Sequence, residues 1–125
     1  MQEEGVGSWA KKTGERRVDP SADPAHHQWY IGHMSQTSQK VVLETLSYLS
    51  TQDLSDILPK IDIPTLILVA ESSTGNTPDR TQGMASLMPN STLVEIPGTD
   101  GYVQHSAPDK CVTAWWEFIG RLRHK

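Results

Sequence analysis

The chain has 125 residues, a formal net charge of −4 and one cysteine, Cys111. This length supports one domain-sized core at most, and a lone cysteine excludes an internal disulfide or a cysteine-rich zinc site. Phosphate binding needs clustered Lys and Arg, whereas the basic residues here are dispersed, so nucleic acid is not expected as a partner.

Membrane and cofactor partners are not expected either. No apolar run approaches the roughly 20 residues needed to cross a bilayer, and the N-terminus lacks the apolar core of a signal peptide. We therefore expect a cytoplasmic protein with no membrane partner. The sequence has no glycine-rich phosphate loop, so no nucleotide cofactor is predicted.

The N-terminal region is predicted to have the least secondary structure. Residues 1–24 are rich in charge, Gly and Pro without an apolar period, which is typical of loop or disorder. Trp9 is the exception, because an isolated Trp in such a segment usually docks onto other residues. We place a polar segment, flexible or derived from a lid, at residues 1–28 and the structured segment at residues 29–125.

Two apolar helices are predicted next. Residues 25–34 bring Trp29, Tyr30, Ile31 and Met34 together at helical spacing. Residues 38–50 repeat apolar side chains at i, i+1, i+4 and i+7, which indicates a helix with one face to bury. A short helical turn is expected before Pro59.

A strand-helix-strand unit follows. Residues 63–70 form a continuous apolar run, typical of a strand covered on both faces. Pro78, behind a Thr, is placed to begin a helix that ends before Pro89. Residues 92–96 alternate like a second strand, and the charge of Glu95 suggests that it lies at a sheet edge.

The last predicted helix begins at Ser106 and has a basic tail, as the helix dipole favours. Its expected inward stripe consists of Cys111, Val112, Trp115, Phe118, Ile119 and Leu122. The right-handed crossover rule makes the two strands parallel neighbours. Two strands are too few for a sheet buried on both faces, so the sheet is expected to be completed by something absent from this chain.

Other side-chain groups have simpler interpretations. His26, His27 and His33, near Asp23, could be imagined as a metal site, but adjacent histidines point apart in regular structure and no Cys or Glu motif supports them. We favour scattered surface histidines and predict no metal. Trp115 and Trp116 could form a stacking platform, although core packing is the stronger interpretation.

Three stretches then resemble the C-terminal third of an α/β-hydrolase: LSDILPKIDIPTLILVAESS, LMPNSTLVEIPGTDG and HSAPDKCVTAWWEFI. Members of that superfamily show a phrase like D-L-x-x-L-P-x-I-x-V-P-T-L-V-x-x-G through the penultimate core strand, and I-P-G-x-G-H before the final helix. The resemblance covers residues 53–122 and less surely 29–50, the end of the lid. It implies a partial α/β-hydrolase fold, in which two parallel core strands have flanking helices and an irregular or lid-like N-terminal region precedes them.

The catalytic residues of the superfamily match poorly. The G-x-S-x-G nucleophile elbow is absent, and the nearest fragment places Ser8 in a loop. Ser73 stands where the resemblance implies the catalytic acid, and Gly101 stands where it implies the histidine. His105 is the candidate to act in place of the missing catalytic histidine, although it could equally be an exposed turn residue. Asp100 is most simply a turn aspartate.

Two functional hypotheses follow. In the first, the chain is the C-terminal portion of an α/β-hydrolase whose parent cleaves a small ester, lactone, epoxide or halide through a nucleophile-His-acid triad, and is inactive alone. Its partner is then a complementing N-terminal hydrolase half, and it meets a small-molecule substrate only when completed. In the second, it is a non-catalytic degenerate domain that acts through self-association or a protein partner.

Overall fold

A computed structural model describes residues 5–99 and 101–123. The chain divides into two compact units between Asp53 and Leu54. The segment boundary that composition predicts, between residues 28 and 29, stays a prediction.

The first unit contains three helices. They are α1 (Gly5–Arg17), α2 (Pro24–Ser35) and α3 (Gln39–Ser50). The expectation of loop or disorder is therefore wrong for α1, whereas helices at residues 25–34 and 38–50 are confirmed. Asp23 caps α2 by accepting the Ala25 N–H at 2.7 Å, and proline occupies the first helical position.

Val6, Ala10 and Thr13 form the buried face of α1, and with one bulky apolar residue among them the sequence shows no sustained apolar period. Ala10 is fully buried and Thr13 nearly so. At Gly14 an added Cβ would lie 3.2 Å from the Ile31 side chain, so glycine lets α2 approach closely. Helix α1 packs against α2 and α3 through this face.

Trp9 docks within this unit, as the sequence predicted. The Arg17 guanidinium lies 5.3 Å from the centre of the Trp9 ring and donates a 3.1 Å hydrogen bond to the Tyr30 hydroxyl. The hydrogen bond joins the C-terminal end of α1 to α2, whereas the cation–π contact lies within α1. Arg17 therefore has a structural role within this unit.

The second unit contains the strand-helix-strand element. A 3₁₀ turn at Leu58–Lys60 leads to β1 (Thr65–Ala70), α4 (Pro78–Ser86) and β2 (Ser91–Ile96). Two further helices follow, α5 (Val103–Ser106) and α6 (Pro108–Arg123). The partial α/β fold predicted from the sequence is confirmed.

The two strands pair in parallel, with Thr65 opposite Ser91 and Ala70 opposite Ile96. A core cluster of Ala70, Ile96 and Val103 forms at the carboxyl ends of the strands, and Leu68, Val94, Ala107 and Cys111 pack against it. Helix α4 contacts both strands, and its buried residues are Thr81 and Ala85. The sheet is thus covered by helices in the manner of an α/β protein.

Helix α6 differs from its predicted register. Its buried residues are Ala114 and Phe118, whereas Val112 is 52% exposed and Trp115 47% exposed. The helix also begins at Pro108, because Ser106 ends the separate short helix α5. The helix packs through the face that carries Ala114 and Phe118, so the expectation that Trp115 points inward is wrong.

Candidate functional site

The loops that follow β1 and β2 lie at the carboxyl ends of parallel strands, where open α/β sheets place their chemistry. The first loop runs over residues 71–77 and ends at Thr77, whose hydroxyl caps α4 by accepting the Arg80 N–H at 3.3 Å. The second begins at Pro97 and leads to α5. Together they form the candidate site.

Backbone hydrogen bonds join the two loops. The Glu71 N–H donates to the Ile96 carbonyl at 3.2 Å, which extends the strand ladder by one step. One residue further on, the Ser72 N–H donates to the Thr99 carbonyl at 2.9 Å. The loops therefore leave the sheet as a pair and not as independent segments.

A side-chain bond reinforces this pairing. The Glu71 carboxylate accepts the Gly98 N–H at 2.6 Å, between residues 27 positions apart. Gly98 has φ 67°, a left-handed conformation that glycine adopts without steric cost. Sequence reasoning missed Glu71, because nothing in the local pattern distinguishes it from a solvated loop carboxylate.

Two further hydrogen bonds fix the position of the second loop. Thr99 is buried, and its hydroxyl donates to the Ile96 carbonyl at 2.6 Å. The Lys110 ammonium of α6 donates to the Pro97 carbonyl at 2.7 Å. These bonds hold the backbone of residues 97–99 in place around the carboxyl end of β2.

Ser73, at the family acid position, is half-buried, and its N–H donates to the Ala70 carbonyl at 3.2 Å. It lies one residue after the joined pair of Ser72 and Thr99. A serine hydroxyl carries no charge at neutral pH, so this position cannot stabilise an imidazolium as a carboxylate does.

Gly101, at the family histidine position, is half-buried with φ 64°. A residue with a side chain would be strained in this left-handed backbone, which fits the glycine found there. Asp100, the other candidate in this loop, lies outside the described residues.

His105 lies in α5 and is exposed. Its N–H donates to the Tyr102 carbonyl at 2.9 Å, and its ring meets the Tyr102 ring edge-on with centroids 6.3 Å apart. The structure thus places the rescue candidate four residues beyond Gly101 on a helical turn, beside an aromatic ring.

The thiol of Cys111 lies beneath the loops and packs on the core cluster of Ala70, Ile96 and Val103. Burial raises the pKa of the Cys111 thiol above its ordinary value, because desolvation disfavours the thiolate. A protonated thiol is a poor nucleophile, so Cys111 acts as a small apolar residue, as the sequence suggested.

The remaining sequence candidates belong to the first compact unit. Ser8 is in helix α1 and not in a loop, which corrects its predicted setting. The ring of His33 lies 4.7 Å from that of Trp29, and His27 Nε2 lies 3.0 Å from the Asp19 carbonyl. Within residues 5–99 and 101–123 there is no group of three or more side chains suited to hold a metal ion.

One cavity of about 480 Å³ lies at the opposite end of the sheet. Its lining includes Pro64 and Ser91, at the amino ends of the two strands, together with Asp62, Phe118 and Arg121. It is remote from the joined loops along the strand direction.

In the described part of the chain, no helix is both long and apolar enough to cross a bilayer.

No protein-family model and no curated protein matches the sequence. Solved structures do match. A thermophilic esterase from Thermogutta terrifontis is 22% identical with a TM-score of 0.80, and the match covers 96% of this chain and 46% of that one. The enol-lactonase from Burkholderia xenovorans LB400 is 15% identical with a TM-score of 0.85, and the match covers 95% of this chain and 46% of the lactonase chain.

A third match is Est816, described as an N-acyl homoserine lactone degrading enzyme, at 21% identity and a TM-score of 0.72 over 94% of this chain and 48% of that one. The chain thus spans about half the length of the solved structures that it resembles. It has the fold of the C-terminal part of an α/β-hydrolase, as the sequence analysis inferred.

Proposed function

We propose that this chain forms the C-terminal half of an α/β-hydrolase that cleaves small esters or lactones, and that the chain alone does not catalyse the reaction. The observation that carries the proposal is the joined pair of loops, in which Glu71 binds Gly98 and Ser72 binds Thr99. Such a rigid pair at the carboxyl ends of parallel strands is suited to line an active-site mouth.

The substrate class is supported by chemistry shared among the similar structures. Their descriptions name an esterase, an enol-lactonase and an enzyme that degrades an acyl lactone. The first two descriptions name enzymes of ester bonds, open in an esterase and cyclic in a lactonase. We extend this bond type to the completed form of the present protein.

The inactivity of the chain alone follows from its residues. Hydrolysis through a covalent intermediate needs an activated nucleophile, a base and a group that orients the base. The sequence has no G-x-S-x-G elbow, Ser73 replaces the acid, and Gly101 replaces the histidine. The joined loops can position backbone groups around a substrate but supply none of these three functions.

The test is a turnover assay of the chain on a chromogenic short-chain ester. We expect no rate above the buffer blank, and no difference between the wild type, His105→Ala and the matched control His33→Ala. Turnover that is lost in His105→Ala and kept in His33→Ala would overturn the proposal, because it would show that His105 restores a working base within this chain.

A second candidate is a non-catalytic domain that functions through association. The observation that favours it is the amount of apolar surface, since Tyr48, Leu49, Ile63 and Trp116 are each more than half exposed. Light scattering tests this candidate directly. Stable dimers or larger species are expected from self-association, and a cooperatively unfolding monomer contradicts it.

A further inference from the structure

The cavity of about 480 Å³ lies where the amino ends of the two strands meet the C-terminal end of α6. Its volume falls within the roughly 300–1,000 Å³ that is usual for small-molecule pockets. All of its lining residues belong to the second compact unit. It is therefore a candidate site separate from the joined loops, which lie at the carboxyl ends of the same strands.

Hydrogen bonds fix the segments that form this cavity. The Asn90 side-chain amide donates to the Asp62 carbonyl, and the Thr65 N–H donates to the Asn90 carbonyl at 3.0 Å. The Ser91 hydroxyl donates to the Ala85 carbonyl of α4 at 2.8 Å. The amino ends of both strands are thus held together, so the cavity is largely pre-formed, as small-molecule sites usually are.

Two opposite charges line the cavity without neutralising each other. Within residues 5–99 and 101–123, neither Asp62 nor Arg121 belongs to an ion pair. The Nε of Arg121 donates to the Glu117 carbonyl at 3.4 Å, and the terminal nitrogens of the guanidinium make no bond to those residues. A guanidinium binds a carboxylate through paired N–H donors, and an aspartate binds an ammonium.

Apolar side chains form much of the remaining wall. Phe118 of α6 is buried at 9% exposure, and Leu122, one helical turn further on, is 37% exposed. Pro64 and Pro89 lie at the amino ends of the strands. A hydrocarbon group placed here would release water from these side chains, which favours its binding. The cavity therefore combines one cation, one anion and an apolar surface.

We propose that this cavity binds a free α-amino acid with an aliphatic side chain. The carboxylate of the ligand pairs with Arg121, its ammonium pairs with Asp62, and its side chain packs against Phe118 and Leu122. A ligand with a single charge fits less well, because it would meet a like charge in the same cavity. The proposed function does not involve these residues, so either proposal can fail without the other.

The experiment measures the binding of L-leucine to the full chain by isothermal titration calorimetry. L-leucine amide, which lacks the carboxylate, and N-acetyl-L-leucine, which lacks the ammonium, are the comparison ligands. Arg121→Gln and Asp62→Asn each remove one charge from the cavity. The matched controls, Arg123→Gln and Asp56→Asn, remove the same charges from residues outside its lining. All four residues are exposed, so equal melting temperatures are expected.

We expect saturable one-to-one binding of L-leucine, and binding about tenfold weaker for each comparison ligand, because each lacks one charge-assisted bond. Arg121→Gln and Asp62→Asn should each weaken the binding of L-leucine about tenfold, whereas the two controls should bind it like the wild type. The amide NMR signals of Thr92 and Phe118 should shift as L-leucine binds.

Three results would overturn the proposal. The first is no saturable binding of L-leucine to the wild type. The second is equal affinity for L-leucine and N-acetyl-L-leucine, which would show that the ammonium is not recognised. The third is unchanged affinity in Arg121→Gln or Asp62→Asn, which would place the binding outside this cavity.

Discussion

Replacement of Ile96 by alanine tests whether the joined loops stand on a packed core. Ile96 is 2% exposed and lies in the core cluster with Ala70 and Val103. Its carbonyl also accepts bonds from the Glu71 N–H and the Thr99 hydroxyl, so its position determines where both loops begin. Ile96→Ala removes buried carbon atoms at the point where β2 meets these bonds.

Loss of a buried isoleucine side chain usually costs about 2–5 kcal/mol, the sum of a transfer and a cavity contribution. The neighbours of Ile96 in the cluster are Ala70 and Val103, and four partly buried residues pack against them, so the site lies in the middle of this range. We therefore expect a loss of about 3 kcal/mol in the free energy of unfolding. For a unit of this size such a loss lowers Tm by about 15 °C.

The measurement is urea unfolding followed by circular dichroism, with Ile63→Ala as the matched control. Ile63 is the same residue type at 66% exposure, so its replacement should change the free energy of unfolding by less than about 0.5 kcal/mol. Equal losses in the two variants would refute the reasoning, because burial at Ile96 would then have no energetic consequence. A large change in the urea m-value would instead indicate altered compactness.

Two further predictions concern groups near the loops. Glu71→Ala should raise the hydrogen-exchange rate of the Gly98 amide about tenfold, because the amide loses its acceptor. Glu71→Gln should largely retain protection, because its side-chain amide oxygen still accepts the bond. Hydrogen exchange by NMR measures both rates, and equal rates in the two variants would contradict the role of Glu71. For Cys111, burial raises the pKa of the thiol in the folded state, so the pH midpoint of its alkylation by iodoacetamide should lie higher in the folded chain than in urea. The same shift implies stability that is present below the unfolded-state pKa of the thiol and is lost as the pH rises through the folded-state value; coincident alkylation midpoints would exclude it.

The strand-helix-strand unit was predictable because its signals are local. A continuous apolar run predicted β1, and Pro78 behind Thr77 predicted the start of α4. Parallel pairing then followed from the handedness of the crossover. The positions of Ser73 and Gly101 in the two loops were likewise evident from their spacing after each strand.

Other elements were not predictable, because packing partners determine them. Helix α1 buries Val6, Ala10 and Thr13 and packs closely at Gly14, and one bulky apolar residue among small ones produces no sustained apolar period. In α6 hydrophobicity alone favoured Trp115 as an inward residue, whereas close packing selected the face of Ala114 and Phe118. Size complementarity between neighbouring elements decides both cases, and a single-sequence pattern does not contain it.

The sequence by itself determined the order of the elements and the parallel sheet, and it placed Ser73 and Gly101 in the loops after the two strands. Only the tertiary structure decided that these loops are joined, because the bond between Glu71 and Gly98 links residues 27 positions apart. It also decided which backbone groups of β1 face β2, since the Thr65 and Glu71 bonds define that side of the strand. Both depend on distances between segments, which arise only when the chain is folded.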